Sequence, residues 1–176
     1  MSGTKKAIDY SFELFETVLS TIDNNEEKAI IRQIVERFNE LGLPVKFKQY
    51  NQPCMEGTYR ILCFIKKSAE TVIINNKGMG RDGVSIQVRI EDRSTLNKLS
   101  DFSENIRNQI LNSANCSYCS SKCGDKKYVF TYQETKYIKC HFLCNNFNFQ
   151  NLTTNDIGNL MYIVNNEIMY KQSHRK

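Results

Sequence analysis

The sequence predicts an α+β protein with a mainly antiparallel sheet, packed helices, and a C-terminal cysteine-rich hairpin followed by a helix. Three observations predict it. Two amphipathic helical patterns come first. The strand patterns are then grouped rather than alternated with helices, which disfavours a doubly wound fold. Five of the seven cysteines, finally, crowd between Cys116 and Cys144.

The first helical pattern spans Ile8 to Ile22, with Phe12, Phe15, Val18, Leu19 and Ile22 at helical spacing. Asp23 or Asn24 then caps a second helix. Glu26 and Glu27 suit the positive end of its dipole. Ile30, Ile31, Ile34, Val35, Phe38 and Leu41 form its apolar stripe, Gly42 is placed to stop it, and Pro44 prevents its resumption. Strand patterns follow. Val45 and Phe47 alternate with lysines. Tyr59 to Lys67 is apolar on both faces at its centre and reads as an inner strand, and Thr71 to Asn75 is a short third strand. Val84, Ile86, Val88 and Ile90 alternate with Ser85, Gln87, Arg89 and Glu91, the pattern of a half-buried strand. Ser94 caps a helical stretch to Leu111, with a break near Ser100 and Asp101. A hairpin is expected from 127–132 and 136–141, then a strand at 146–150. Thr153 or Thr154 caps a last helix to about Tyr170, and the tail is expected to fray.

A chain of 176 residues, 40% hydrophobic and 24% charged, can bury a core without a covalent staple and is too apolar for disorder. The clearest boundary is the join near 112–115. It separates an α+β body, 1–113, from the cysteine hairpin and final helix, 114–176, packed with the body as one unit. A net charge of +5 mildly favours acidic partners, but falls short of the basic stripe of a dedicated nucleic-acid binder. No apolar run reaches a membrane span. The N-terminal apolar positions are interrupted by Asp9, Glu13 and Glu16, unlike a secretory signal. The expected compartment is the cytoplasm, where thiols stay reduced.

Under those conditions clustered cysteines point to metal rather than disulfides. The pattern is Cys116-x2-Cys119-x3-Cys123, then sixteen residues, then Cys140-His141-x2-Cys144. Zinc takes four tetrahedral ligands, and thiolates supply them at about 2.3 Å. Paired cysteines reach one ion when the chain curls between them, and the hairpin brings the second pair beside the first. A turn near 133–136 places Cys140 opposite Tyr128 and Cys144 opposite Gly124, next to Cys123. The candidate ligands are therefore Cys116, Cys119 and Cys140, with Cys123 and Cys144 competing for the fourth place. His141 is a substitute for the fourth ligand, although on a regular strand its side chain is expected to point away from Cys140. An iron–sulfur cluster also takes four thiolates, although the spacing matches neither common ferredoxin run. A thiolate-filled zinc has no bound water to activate, so the role expected is structural.

Other signals weaken on inspection. Gly78, Gly80 and Gly83 have the spacing of a dinucleotide fingerprint, but Val84 opens a strand where that motif requires a helix. The segment reads as a hairpin connection, or at most an anion cradle helped by Arg81. Cys54 lacks a partner base: His141 belongs to the metal segment and His174 to the tail. Cys63, between Leu62 and Phe64, reads as a core residue. From Cys116 to Cys144 there are five lysines against two acids, interleaved with Tyr118, Tyr128, Phe130, Tyr132 and Tyr137. Such a set binds single strands when exposed and builds an ordinary half-buried sheet when not. Lys46, Lys48, Lys66 and Lys67 form a second basic set with the same ambiguity. No spacing of Glu56, Asp82, Glu91 and Asp92 defines an acid–base pair.

The expectation is thus a non-enzymatic, zinc-stabilised binding or regulatory protein whose partner is another protein or a nucleic acid. The alternatives are a ligand-binding domain or enzyme using the concave face of the main sheet, and a thiol redox or metal sensor using the spare cysteine.

Overall fold

A computed structural model describes residues 7–49, 58–66, 69–76, 83–115, 128–139 and 146–174. In chain order the elements are β1 (Ile8–Asp9), α1 (Phe12–Ser20), α2 (Asn25–Glu40), β2 (Val45–Gln49), β3 (Tyr59–Lys66), β4 (Ala69–Asn75) and β5 (Ser85–Arg89). A 3₁₀ helix (Arg93–Asp101), α3 (Glu104–Leu111), β6 (Tyr128–Tyr132), β7 (Thr135–Lys139), β8 (Asn146–Gln150), a 3₁₀ turn (Thr154–Asp156) and α4 (Ile157–Ser173) complete it.

Among the described residues β1-β2-β3-β4-β5-β8 form one antiparallel six-stranded sheet, and β6-β7 a separate two-stranded one. Register aligns the apolar residues into two rows across the large sheet. One runs Phe47, Ile61, Ile74, Ile86, Phe149; the next runs Val45, Cys63, Val72, Val88, Phe147. Every residue of both rows is buried. They share a core with Phe15, Val18 and Leu19 of α1, the Ile30–Phe38 stripe of α2, and Leu160, Ile163, Val164 and Ile168 of α4. Alternation sends a polar row to the other face: Lys48, Arg60, Asn75, Ser85, Gln150. Arg60 Nε donates to Asn75 Oδ1 at 2.7 Å, and Asn75 Nδ2 to Ser85 Oγ at 3.0 Å, so three strands are also stitched by side chains.

Local chemistry sets the helix ends. Asn24 Oδ1 accepts from the N–H groups of Glu26 and Glu27 at 2.8 and 3.3 Å, a cap worth about 1 kcal/mol. At the other end of α2, Leu43 N–H bonds Phe38 O and Gly42 N–H bonds Asn39 O. Gly42 sits at φ +62°, the left-handed closure that glycine permits without strain.

Several sequence expectations need correction. The first helix does not begin at Ile8: Ile8–Asp9 pairs with Phe47 and Lys46 as a two-residue edge strand. Phe12, the first residue of α1, is exposed. Leu41 is partly exposed too, because the chain has left the helix there. The Ser94–Leu111 stretch does divide close to the expected break, into a 3₁₀ helix and an α3 capped by Ser103, but the cap of the 3₁₀ helix is Asp92 rather than Ser94. The last helix continues to Ser173, three residues beyond the expected end.

At the β8 edge of the sheet a side chain covers the backbone of Gln150. Gln109 of α3 donates from Nε2 to Gln150 O at 3.0 Å and accepts from Gln150 N–H at 2.8 Å. At that one residue the amide pairs as a neighbouring strand would. β8 lies beside β5, and α4 packs on α2, β3 and β5.

Candidate functional site

The five candidate ligands, Cys116, Cys119, Cys123, Cys140 and Cys144, lie outside the described residues, as do His141 and Cys54. The hairpin between the two cysteine groups is described. Its register is one residue from expectation: Tyr128 faces Lys139, not Cys140. The reason is the turn. Gln133 and Glu134 take φ values of +45° and +64°, a two-residue turn with both central residues left-handed. Asn-Gly is the usual sequence there, and Gln-Glu gives no such signal.

Lys139 joins described residues that flank the cysteine segments in sequence. It is buried, and its Nζ donates to the carbonyls of Leu111 and Ser113 and to Asn115 Oδ1, the last two at 2.8 Å. Those carbonyls belong to the end of α3 and the loop after it, where unpaired acceptors attract a cation. Burial lowers the Lys139 ammonium from its ordinary range. Asn115 and Lys139 also form an isolated antiparallel bridge. The residue before Cys116 and the residue before Cys140 are therefore direct neighbours, and Lys139 pairs with Tyr128, where the chain returns from the first cysteine group.

The hairpin meets the body through its aromatic face. Tyr128 is buried, its ring 5.4 Å from Phe147 of the large sheet, and its hydroxyl donates to Ile90 O. Phe130 is buried and stacks on Tyr137 at 5.4 Å, and Arg107 of α3 lies 5.8 Å from the Tyr132 ring. These aromatics pack inward, and Val129 faces outward. That is the half-buried sheet alternative to a stacking surface for bases.

Behind the Ile90 carbonyl lies a buried ionic cluster. Glu167 Oε1 accepts from Glu91 N–H and Asp92 N–H, both at 2.8 Å. Its Oε2 has no hydrogen-bond partner among the described residues and lies 3.9 Å from Lys171 Nζ. Lys171 Nζ donates to Thr71 Oγ1 at 3.2 Å and lies 3.4 Å from Glu91 Oε1. Burial pushes the Glu167 carboxyl up to about 7, against two backbone hydrogen bonds and Lys171, which favour its charge. Burial lowers Lys171, while Glu91 and Glu167 hold it back. Burial and then the charge of Glu167 raise Tyr128 far above the phenol range, so it remains a donor. Beside this cluster is an open cleft of about 650 Å³ lined by Arg89, Glu91, Arg93, Tyr128 and Tyr170, among others.

Sequence reading missed Glu167 and Lys171, although a signal existed. The buried residues of α4 are Leu160, Ile163, Val164, Glu167, Ile168 and Lys171, one helical stripe. A Glu and a Lys at i,i+4 on that stripe must be buried together. Of the other candidates, Gly83 has φ +99° and leads straight into β5, so no helix follows the glycine motif. Cys63 is fully buried, and burial raises its thiol far above its ordinary range. Among the described residues there is no group of three or more His, Cys, Asp or Glu able to hold a metal, and no helix long and apolar enough to cross a membrane.

No family model matches the chain, and no curated protein or solved structure is significantly similar to it.

Proposed function

We propose that the protein is a zinc-stabilised, non-enzymatic binding or regulatory module working in a reducing compartment. Cys116, Cys119 and Cys140 would bind the ion, with Cys123 or Cys144 as fourth ligand. The observation carrying this reading is the convergence at Lys139. Asn115 bridges Lys139, Tyr128 pairs with it, and both cysteine groups start or end within a few residues of that junction. Tetrahedral zinc needs this kind of approach between segments distant in sequence. The bound ion would add folding free energy to a two-stranded hairpin, which is marginal alone. The binding surface would be the outer face of the hairpin, and its partner a protein or a nucleic acid.

The enzymatic alternative draws less support. The described acid with the clearest upward shift, Glu167, is fully buried and is not part of the cleft lining.

Elemental analysis and an absorption spectrum of protein purified without added metal test the proposal. About one zinc per chain with no visible band is expected for a closed thiolate site. Iron with a broad visible band would move the site to redox chemistry. Freshly reduced, folded protein without metal would defeat the reading. Salt-sensitive retention on nucleic acid would then select that partner class.

A further inference from the structure

The peptide unit joining Ile90 to Glu91 is gripped from both sides. Its N–H donates to Glu167 of α4, and its carbonyl accepts from Tyr128 of the hairpin. A hydrogen bond at one end of a peptide polarises the other end, so the two bonds support each other. We infer that this chain, from Glu167 through the Ile90–Glu91 peptide to Tyr128, is a proton-linked tether that holds the cysteine hairpin to α4 and loosens when Glu167 loses its proton.

The geometry supplies the reason. Glu167 has no exposed surface. One oxygen serves two N–H groups, while the other faces Lys171 at 3.9 Å, beyond hydrogen-bond length. Oε2 has no hydrogen-bond partner among the described residues in either protonation state, but the ionised form also places a charge where water does not reach it, and that burial is what favours the proton. Lys171 does not offset the charge fully, since it also lies against Glu91 and Thr71. The other groups around the cluster are Asp92 in the turn, Arg89 on β5 and Arg93 on the 3₁₀ helix. The two arginines bear on Tyr128, and Arg89 also on Lys171. Opening the turn admits water to Glu167 and returns it to the ordinary carboxyl range, so deprotonation favours the open form. The closed carboxyl titrates at about 7, which puts the change in the neutral range. No proton is transferred between residues: it passes between Glu167 and solvent.

Amide hydrogen exchange on the full chain tests this, read at Glu91, Asp92 and the β6 amides from pH 5 to 8 and corrected for intrinsic rates. Protection should fall by up to about tenfold per pH unit, then level off above neutrality. Glu167→Gln should flatten that dependence. Flat protection in the wild type, or an unchanged slope in the variant, overturns the inference. Should the variant fail to fold, carbon-13 titration of the wild-type Glu167 carboxyl decides: a midpoint near neutrality is expected, and one in the ordinary carboxyl range is fatal. Tyr128→Phe separates the two halves of the tether. Hairpin protection should drop several-fold while the Glu167 midpoint stays near neutral, and undiminished hairpin protection would show that the hydroxyl carries no coupling.

Discussion

The two ends of the α4 segment each bury a carboxylate, and they treat it in opposite ways. Asp156, in the 3₁₀ turn leading into the helix, is surrounded by donors. Ser103 Oγ reaches Oδ1 at 2.5 Å. Asn105 Nδ2 and Thr153 N–H reach Oδ2 at 2.8 and 2.9 Å, and Thr153 Oγ1 reaches it at 3.2 Å. Burial alone would raise this carboxyl, but the hydrogen bonds outweigh it and hold it below its ordinary value. Glu167 has two donors on one oxygen and ends up raised. The balance between burial and donors therefore decides the charge: Asp156 is less deeply buried and has more donors, while burial prevails at Glu167. The Asp156 end fixes α3 to α4 permanently, whereas the Glu167 end makes its attachment depend on a proton.

Breaking the saturated end should have the largest effect. Asp156→Ala strands the donors of Ser103, Asn105 and Thr153, and should cost about 3 kcal/mol in urea unfolding at pH 7. Its pH signature is acidic. A lowered carboxyl stabilises the fold above its unfolded pKa, and that stability is lost as pH falls through the folded value. The Glu167 end has the opposite sign. A raised carboxyl favours the fold when protonated, so its contribution should decline by about 3 kcal/mol as pH rises from the ordinary carboxyl range to about 7. Unfolding series at pH 5 and pH 8 should show this difference in the wild type and lose it in Glu167→Gln.

Two further changes test the hairpin through contacts outside the Glu167–peptide–Tyr128 chain itself, at Lys139, the strand partner of Tyr128, and at the turn. Lys139→Met leaves the Leu111 and Ser113 carbonyls without their cation. It should destabilise by about 2 kcal/mol, with exchange rising first at the end of α3. The smallest effect is a gain. Gln133→Asn with Glu134→Gly supplies residues that accept left-handed φ, and should stabilise the hairpin by about 1 kcal/mol. An unchanged melting midpoint would mean that the turn is not strained.

Much of the body could be read in the chain because its signals are periodic. The α2 stripe and the alternation of residues 84–90 each fixed an element to within a residue or so, and the grouped strands gave the antiparallel sheet. What escaped had no period. β1 is two residues long, too short for any pattern, and its pairing with β2 is purely tertiary. The hairpin register slipped because its turn uses Gln-Glu. Cap choice at the 3₁₀ helix was ambiguous, since Asp92 and Ser94 are both good caps and Asp92 Oδ1 accepts from Ser94. The cysteine pattern was visible at once, but the pairing of the described residues that flank it was not: Lys139, Asn115 and Tyr128 read as ordinary sheet residues. Glu167 and Lys171 were legible in principle. Two charges on an apolar helical stripe are a signal that element assignment alone overlooks.

The Gln109 amide that covers β8 bears on how this protein tolerates crowding. A sheet with a bare rim recruits strands from other copies, the first step towards fibres. Here one rim is covered at Gln150 by an imitation of a peptide group, and the other ends, among the described residues, in a two-residue strand with Lys48 just beyond its pairing. Self-addition is hindered at the Gln150 position and poorly supported opposite, a protection that no count of surface charge would reveal.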